Sequence, residues 1–214
     1  MKGAGGAKEK DLALAVARRV RGIFESRLGI RVLLTRDDDR NVPLDGRTAL
    51  ANNSKADLLI SLHANASFNL ATTGASILYV LDRDSTSSVP SALGAPAASG
   101  ALRLPTFSGG ARDIDLVPWD LAQQRHVDRS AALAQALEAE FRDRVPMSKH
   151  STDRAPLSVL ESANMPAVLI EMGYLTNHDQ ETAMAGSNFQ NLIAQAIFDA
   201  VAKFRELPAG GGDR

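Results

Sequence analysis

The sequence of 214 residues contains no cysteine. Disulfide bonds, thiolate metal sites and cysteine nucleophiles are therefore excluded, and any metal ion has to be bound by His, Asp or Glu. The lack of cysteine is compatible with an oxidising compartment of the cell envelope but does not demonstrate one. Aromatic residues make up only 5% of the chain, but hydrophobic residues make up 44%, which is enough for the core of one domain.

Neither sign of charge dominates, since 24 basic and 25 acidic residues leave a net charge of -1. This balance gives no support to a nucleic acid or a membrane surface as a partner. The sequence has no apolar run of the length that crosses a bilayer, so we expect no membrane span. We also expect no signal peptide in this sequence, because Met1 is followed by Lys-Gly-Ala-Gly-Gly and then by charged residues. We expect a chain of this sequence alone to stay in the cytoplasm.

Helix-like and strand-like patterns alternate along the chain. Apolar residues recur with a helical period in three long segments, residues 9–28, 119–145 and 189–207. In the last of these, Leu192 and Ile193 are expected on the buried side. Short apolar runs typical of buried strands lie at residues 30–34, 57–63, 75–81, 157–160 and 167–171. The alternation predicts an α/β fold, a single domain with a mostly parallel central sheet covered by helices on both faces.

Residues 83–112 differ from the rest, being rich in Ser, Ala, Gly and Pro without any period. We predict that they form a mobile insertion loop within one domain of residues 1–207. The Gly-rich residues 208–214 are predicted to be a flexible tail. Limited proteolysis is therefore expected to cut first within residues 83–112.

Three polar residues occupy positions that suit a catalytic site. Glu9 opens the first predicted helix, where the positive end of the helix dipole favours an ionised carboxylate. His63 ends the apolar run Leu-Leu-Ile-Ser-Leu-His, and Glu171 ends the run Val-Leu-Ile-Glu. Because ligands in such sheets collect at the carboxyl ends of the strands, His63 and Glu171 can belong to one site.

Each of these residues also has a purely structural explanation. Glu9 taken alone is explained as an acidic residue in a first helical turn, and His63 as a strand-end histidine bonded to backbone. Glu171 is harder to explain in this way, because burying a carboxylate without a partner is costly. The remaining histidines lie in polar or loop-like stretches and are weaker candidates: His126, His150 and His178.

A series of short motifs follows in order along almost the whole chain. They are Gly3-x-x-Gly6-x-x-Glu9-Lys10-Asp11, Leu34-Thr35-Arg36, Arg47-x-x-x-Ala51-Asn52, the ten residues Ala56–Asn65, Val117-Pro118-Trp119 and the thirteen residues Met165–Asn177. Any one of them is weak evidence, but in this order they are specific. Together they resemble the zinc-dependent N-acetylmuramoyl-L-alanine amidases.

The resemblance implies a peptidoglycan hydrolase. Such an enzyme uses zinc-activated water to cleave the amide bond between the lactyl group of N-acetylmuramic acid and L-alanine of the stem peptide. By motif, Glu9 and His63 match two ligands of a single Zn²⁺ ion, and Glu171 matches the catalytic glutamate. The resemblance assigns no substrate-binding residue. It implies that the partner is peptidoglycan and that the protein is a monomer. It also implies a cell-envelope location (periplasmic or extracellular) for the full-length parent. It leaves open whether an activator protein is needed.

The sequence departs from the family pattern at one point. The family's other zinc-binding histidine lies upstream, in an Asp-Pro-Gly-His-Gly-Gly segment that ends the first strand, and nothing in this chain matches it. A single N-terminal truncation accounts for the missing strand, ligand and signal peptide together. We expect an unpaired sheet edge or gap, weaker zinc binding and low activity. The alternatives are a non-catalytic peptidoglycan-binding remnant without a complete zinc site, and a different zinc peptidase with a similar sheet.

Overall fold

The structure, a computed structural model, describes residues 1–80 and 119–207, and the side chains of residues 119–125 are not among those described. The predicted insertion loop at 83–112 and the predicted tail at 208–214 lie outside the described residues. The helices are α1 (Glu9–Leu28), α2 (Leu44–Asn53), α3 (Trp119–Arg142), α4 (His178–Ala185) and α5 (Ser187–Glu206). The strands are β1 (Leu59–Asn65), β2 (Ala75–Val80), β3 (Met147–Ala155) and β4 (Ala167–Tyr174).

The four strands form one sheet in the order β1-β4-β2-β3. The pairings of β1 with β4 and of β2 with β3 are parallel, whereas β2 and β4 are antiparallel. The predicted α/β fold with a mostly parallel sheet is therefore confirmed. Among the described residues no helix is both long and apolar enough to cross a membrane.

The alternation of side chains along β4 builds two apolar layers, one on each face of the sheet. Val168 and Ile170 point into the larger cluster, which also contains buried residues of α1, α3 and α5. Ala167 and Leu169 point into a smaller cluster on the other face, which α2 joins through Ala51. Helices thus cover both faces of the sheet, and β4 is buried on both sides, as its uninterrupted apolar sequence predicts.

Several local predictions are wrong. Residues 157–160 contain a turn and form no strand. The strand that precedes them in the chain is β3, whose mixed polar sequence gives a weak strand signal. Leu192 is 43% exposed, while Ile193 beside it is fully buried. The two residues lie about 100° apart around α5, and the helix turns Ile193 and not Leu192 into the apolar core.

Residues 30–34 were expected to form a strand, and they do not. Among the described residues, the backbone of residues 31–35 makes no hydrogen bond to another backbone group. A strand needs a neighbour on at least one side, and these residues lie across a cleft from β1. Their branched apolar sequence is suited to a strand, but the partner needed to form a ladder is lacking.

The cleft runs along the free edge of β1 and has a volume of about 1310 Å³. Its apolar walls include Val20 and Phe24 of α1, Val32 on the opposite side, and Ile60 of β1. In the described sheet β1 pairs with β4 alone, so its other edge faces this cleft. In the described part of the chain, this edge of β1 therefore has no neighbouring strand.

Candidate functional site

His63 and Glu171 are brought together by the parallel pairing of β1 and β4. In this ladder Leu59 is opposite Ala167, and the register continues until His63 is opposite Glu171. The register then shifts between His63 and Asn65, near the carboxyl end of β1. The two residues predicted to share a rim of the sheet are thus neighbours across two adjacent strands.

Glu9 reaches the same place from the first residue of α1. Its Oε1 lies 2.8 Å from Nδ1 of His63, and about a fifth of its side chain is exposed. The amino group of Met1 lies 3.3 Å from the other oxygen, Oε2. The structure therefore brings Glu9 and His63 into direct contact, with Glu171 opposite the histidine.

Ser61 is a polar neighbour that the sequence analysis did not identify. Its Oγ lies 3.0 Å from Nε2 of His63, so side chains occupy both nitrogens of the imidazole ring. Residues two apart in a strand project from the same face, which explains how Ser61 reaches the ring. This spacing, Ser-x-His at the end of an apolar strand, is the signal that identifies Ser61.

The two carboxylates of the site have pKa values shifted in opposite directions. The hydrogen bond from His63 lowers the pKa of Glu9 to about 2, against the opposing effect of partial burial. Burial raises the pKa of Glu171 to about 7, and the negative charge of Glu9 acts in the same direction. Such a separation of pKa values is typical of sites in which one carboxylate stays ionised and the other exchanges a proton.

One oxygen of Glu171 is left without a partner. Its Oε2 is buried and accepts no hydrogen bond from the described residues. A buried polar atom of this kind requires an explanation, and a ligand or water in the site is the usual one. Carboxylate and imidazole side chains are also the donors with which Zn²⁺ is commonly bound, so the chemistry of Glu9 and His63 fits this ion.

The number of ligands fits zinc less well than their chemistry. Within the described residues, no group of three His, Cys, Asp or Glu side chains is arranged to hold a metal ion. His150 belongs to β3, at the opposite edge of the sheet from β1, and His178 opens α4. His126 lies within α3. The described part of the chain thus offers two candidate ligands for a zinc ion, where catalytic sites use three protein ligands.

A family comparison covers almost the whole chain. The model of the family Amidase_3, described as N-acetylmuramoyl-L-alanine amidase, matches residues 1–203. The chain belongs to this amidase family. The match includes Glu9, His63 and Glu171.

Curated relatives of this amidase domain are named as amidases of the same kind. This chain is 30% identical over 207 residues to N-acetylmuramoyl-L-alanine amidase AmiA of Escherichia coli strain K12, and the alignment covers 94% of this chain and 70% of that protein. It is 26% identical over 197 residues to AmiC of Escherichia coli O6:H1, covering 92% of this chain and 47% of AmiC. The chain thus spans about half the length of some relatives, which contain more than this domain.

Solved structures of the family share the fold. The amidase AmiC2 of Nostoc punctiforme superimposes with a TM-score of 0.71 at 25% identity, covering 97% of this chain and 89% of that one. An N-acetylmuramoyl-L-alanine amidase from Clostridium difficile 630 gives the same TM-score and identity, covering 97% of this chain and 90% of its own. The sheet and helices described above are therefore those of this amidase family.

Proposed function

We propose that this amidase domain hydrolyses the amide bond between the lactyl group of N-acetylmuramic acid and L-alanine of the peptidoglycan stem peptide. The observation that most directly supports this is the contact of Glu9 with His63, opposite Glu171, whose buried Oε2 has no hydrogen-bond partner among the described residues. The three residues lie within the segment matched by the amidase family. The products are a glycan strand with a free lactyl carboxylate and a free stem peptide.

Glu9 and His63 are proposed to hold one Zn²⁺ ion. When bound, zinc supplies a Lewis acid that lowers the pKa of water and polarises a carbonyl group. Glu9 is suited to bind a cation because its low pKa keeps it ionised at neutral pH. Ser61, on the remaining nitrogen of the ring, helps to fix the orientation of His63.

Glu171 is proposed to be the general base and then the general acid. With a pKa of about 7 it takes a proton from the attacking water and returns it to the leaving nitrogen of L-alanine. The proton is thereby moved from water to the amine, and the amide C–N bond is replaced by a C–O bond. A pKa near the working pH is best suited to a group that performs both steps.

We infer further that the cleft beside β1 takes up an extended segment that supplies the remaining zinc ligand. Both walls of the cleft offer unpaired backbone, from β1 on one side and from residues 31–35 on the other. Glu9 and His63 line this same cleft. A strand that pairs with β1 therefore ends beside the proposed metal ligands, where a histidine completes a three-ligand site.

The test compares the 214-residue chain with a version extended at its N-terminus by a strand and a Gly-His-Gly segment. We expect the extended protein to bind one zinc ion more tightly and to release stem peptides from purified peptidoglycan faster. Bound zinc is measured by elemental analysis and peptide release by chromatography. Equal zinc occupancy and equal turnover in the two proteins would refute the role of the added segment.

One observation favours a second candidate function. Because the described residues provide two zinc ligands and not three, the chain alone can be a peptidoglycan-binding module without hydrolytic activity. A sedimentation assay with purified peptidoglycan, run beside the turnover assay, separates the two functions. Binding without peptide release in both the given and the extended forms favours this candidate.

Location and partners follow from the proposed substrate. A peptidoglycan amidase has to meet its substrate in the cell envelope, so we propose a periplasmic or extracellular location for the parent protein. The near-neutral net charge gives no support to a nucleic acid as a further partner. We propose that the protein is a monomer. The turnover assay with purified peptidoglycan tests whether it needs an activator protein.

A further inference from the structure

Glu181 is a buried carboxylate that the proposed chemistry does not use. It lies in the first turn of α4 and is 3% exposed. Its Oε2 accepts a hydrogen bond of 2.7 Å from the N–H of Gly5, and its Oε1 accepts one of 2.9 Å from the N–H of Ala7. The side chain therefore joins α4 to the glycine-rich segment that precedes α1.

The glycine-rich segment, residues 3–7, is wrapped closely around this carboxylate. A Cβ atom placed on Gly3 would lie 2.3 Å from Oε1 of Glu181, and one on Gly5 would lie 3.1 Å from its Oε2. Gly6 has a φ of +98°, a conformation that side-chain-bearing residues rarely adopt. Successive backbone N–H groups around an anion form a nest, and here the anion is supplied by the protein itself.

The same segment sets the beginning of α1. The N–H of Gly3 bonds to the carbonyl of Ala7, and the N–H of Glu9 bonds to the carbonyl of Met1. The residue before the helix, Lys8, makes no side-chain cap. The first turn of α1, and with it the carboxylate of Glu9, is therefore held by the segment that Glu181 anchors.

The charge on Glu181 suits this role. The hydrogen bond from Gly5 lowers the pKa of the carboxyl group, and the bond from Ala7 acts in the same direction. A carboxylate that accepts bonds from several backbone N–H groups forms stronger hydrogen bonds than a neutral acceptor does. The segment is thus fixed by charge-assisted bonds over a separation of 174 residues in sequence.

We propose that Glu181 is a positioning residue for the zinc site, acting through the glycine-rich segment to place Glu9 against His63. The proposal rests on the proposed function in assigning zinc to these two residues. It explains the glycines at positions 3 and 5, where any larger residue would meet the carboxylate. Glu181 does not touch the reacting atoms.

The main test replaces Glu181 by Gln in the 214-residue chain. One acceptor oxygen then becomes an NH₂ group that faces a backbone N–H, so the segment loses an anchor while the size of the side chain is kept. We expect the dissociation constant for zinc, measured by competition with a fluorescent zinc indicator, to rise by about 10- to 100-fold. Hydrogen exchange at the amides of Gly5 and Ala7, measured by NMR without metal, is expected to become faster.

Glu140→Gln is the matched control. Glu140 is also a buried glutamate, bound by Arg144 and Lys203, and it lies in α3 away from the glycine-rich segment. Its replacement is expected to lower the melting temperature and to leave the zinc dissociation constant unchanged within about twofold. If Glu181→Gln fails to fold, Gly5→Ala displaces the segment while the carboxylate stays, and a weaker form of both effects is expected.

The outcomes separate this proposal from the proposed function. If Glu181→Gln lowers the melting temperature as the control does, but zinc affinity and amide exchange are unchanged, the positioning role is wrong. If the unsubstituted chain and its extended form bind no zinc at all, the proposed function fails. The exchange rates then still decide whether Glu181 anchors the segment and the start of α1.

Discussion

His63 and Glu171 are register partners across the parallel ladder of β1 and β4, and the charge of His63 affects the ionisation of Glu171. The positive charge of a protonated His63 favours the ionised form of Glu171, whereas burial disfavours it and is the larger effect. Glu9, hydrogen-bonded to Nδ1 of His63, adds a negative charge that also disfavours the ionised form of Glu171. The pairing therefore places the carboxyl group of Glu171, whose pKa is raised, near Glu9, whose lowered pKa keeps it ionised at neutral pH.

The raised pKa of Glu171 makes a prediction about stability. The folded-state pKa of about 7 exceeds the ordinary glutamate value of 4.5, so the folded protein retains a proton that the unfolded chain loses between these pH values. The native protein therefore loses stability as pH rises from about 4.5 to 7. Glu171→Gln removes this loss, and its free energy of unfolding is expected to exceed that of the unsubstituted protein above pH 7 by up to about 3 kcal/mol.

Urea denaturation at intervals between pH 4.5 and pH 8 measures this effect. The control is Glu25→Gln, which removes an exposed carboxylate of α1. Its free energy of unfolding is expected to follow that of the unsubstituted protein across the range. A difference between Glu171→Gln and the unsubstituted protein that is the same at all pH values would show that burial does not raise the pKa of Glu171.

His63→Ala tests the assignment of the metal ligand. With a single remaining ligand, the site is expected to lose measurable zinc binding at neutral pH, because ligand number determines affinity. His150→Ala is the control, since His150 is exposed in β3 at the far edge of the sheet. Equilibrium dialysis with zinc measures both variants. Unchanged binding by His63→Ala, or an equal loss in His150→Ala, would contradict the assignment.

Much of the fold could be predicted from the sequence because its signals are local. The apolar run of β4 and the period of α5 indicate a strand buried on both sides and an amphipathic helix. Residues 30–34 were predicted as a strand from equally good local evidence, and the prediction is wrong because pairing depends on a neighbour in space. Composition and period carry no information about that neighbour.

The candidate site shows the same division. His63 and Glu171 could be placed together because strand ends in a parallel sheet meet at one rim. Glu181 could not, because its partners are backbone N–H groups of Gly5 and Ala7, far away in sequence. The family motif includes Gly3 but not Gly5, and the reason for a small residue at both positions is visible only in the contact with Glu181.

The buried layer under β4 provides a prediction about the core. Ile170 is fully buried and pairs with Leu62 on one side and Ile77 on the other. Ile170→Ala is expected to lower the free energy of unfolding by about 2–5 kcal/mol, through lost apolar burial and the cavity left behind. Leu192→Ala, at an exposed position of α5, is expected to change it by less than about 0.5 kcal/mol. Thermal and urea denaturation measure the stability of both variants. Equal losses of unfolding free energy in the two variants would contradict the burial assigned to Ile170.

The catalytic role of Glu171 is tested in the N-terminally extended protein, where a complete zinc site is proposed. Glu171→Gln keeps the shape of the side chain but can no longer accept the proton of water, so kcat for stem-peptide release is expected to fall by about 10²- to 10⁴-fold. Zinc content is expected to stay the same, because Glu171 is not proposed as a ligand. Loss of zinc together with activity would make Glu171 a ligand, and retention of activity would require another base.

The pH dependence of the unsubstituted extended protein tests the same role. Its kcat/KM is expected to rise with pH around pH 7, as Glu171 ionises.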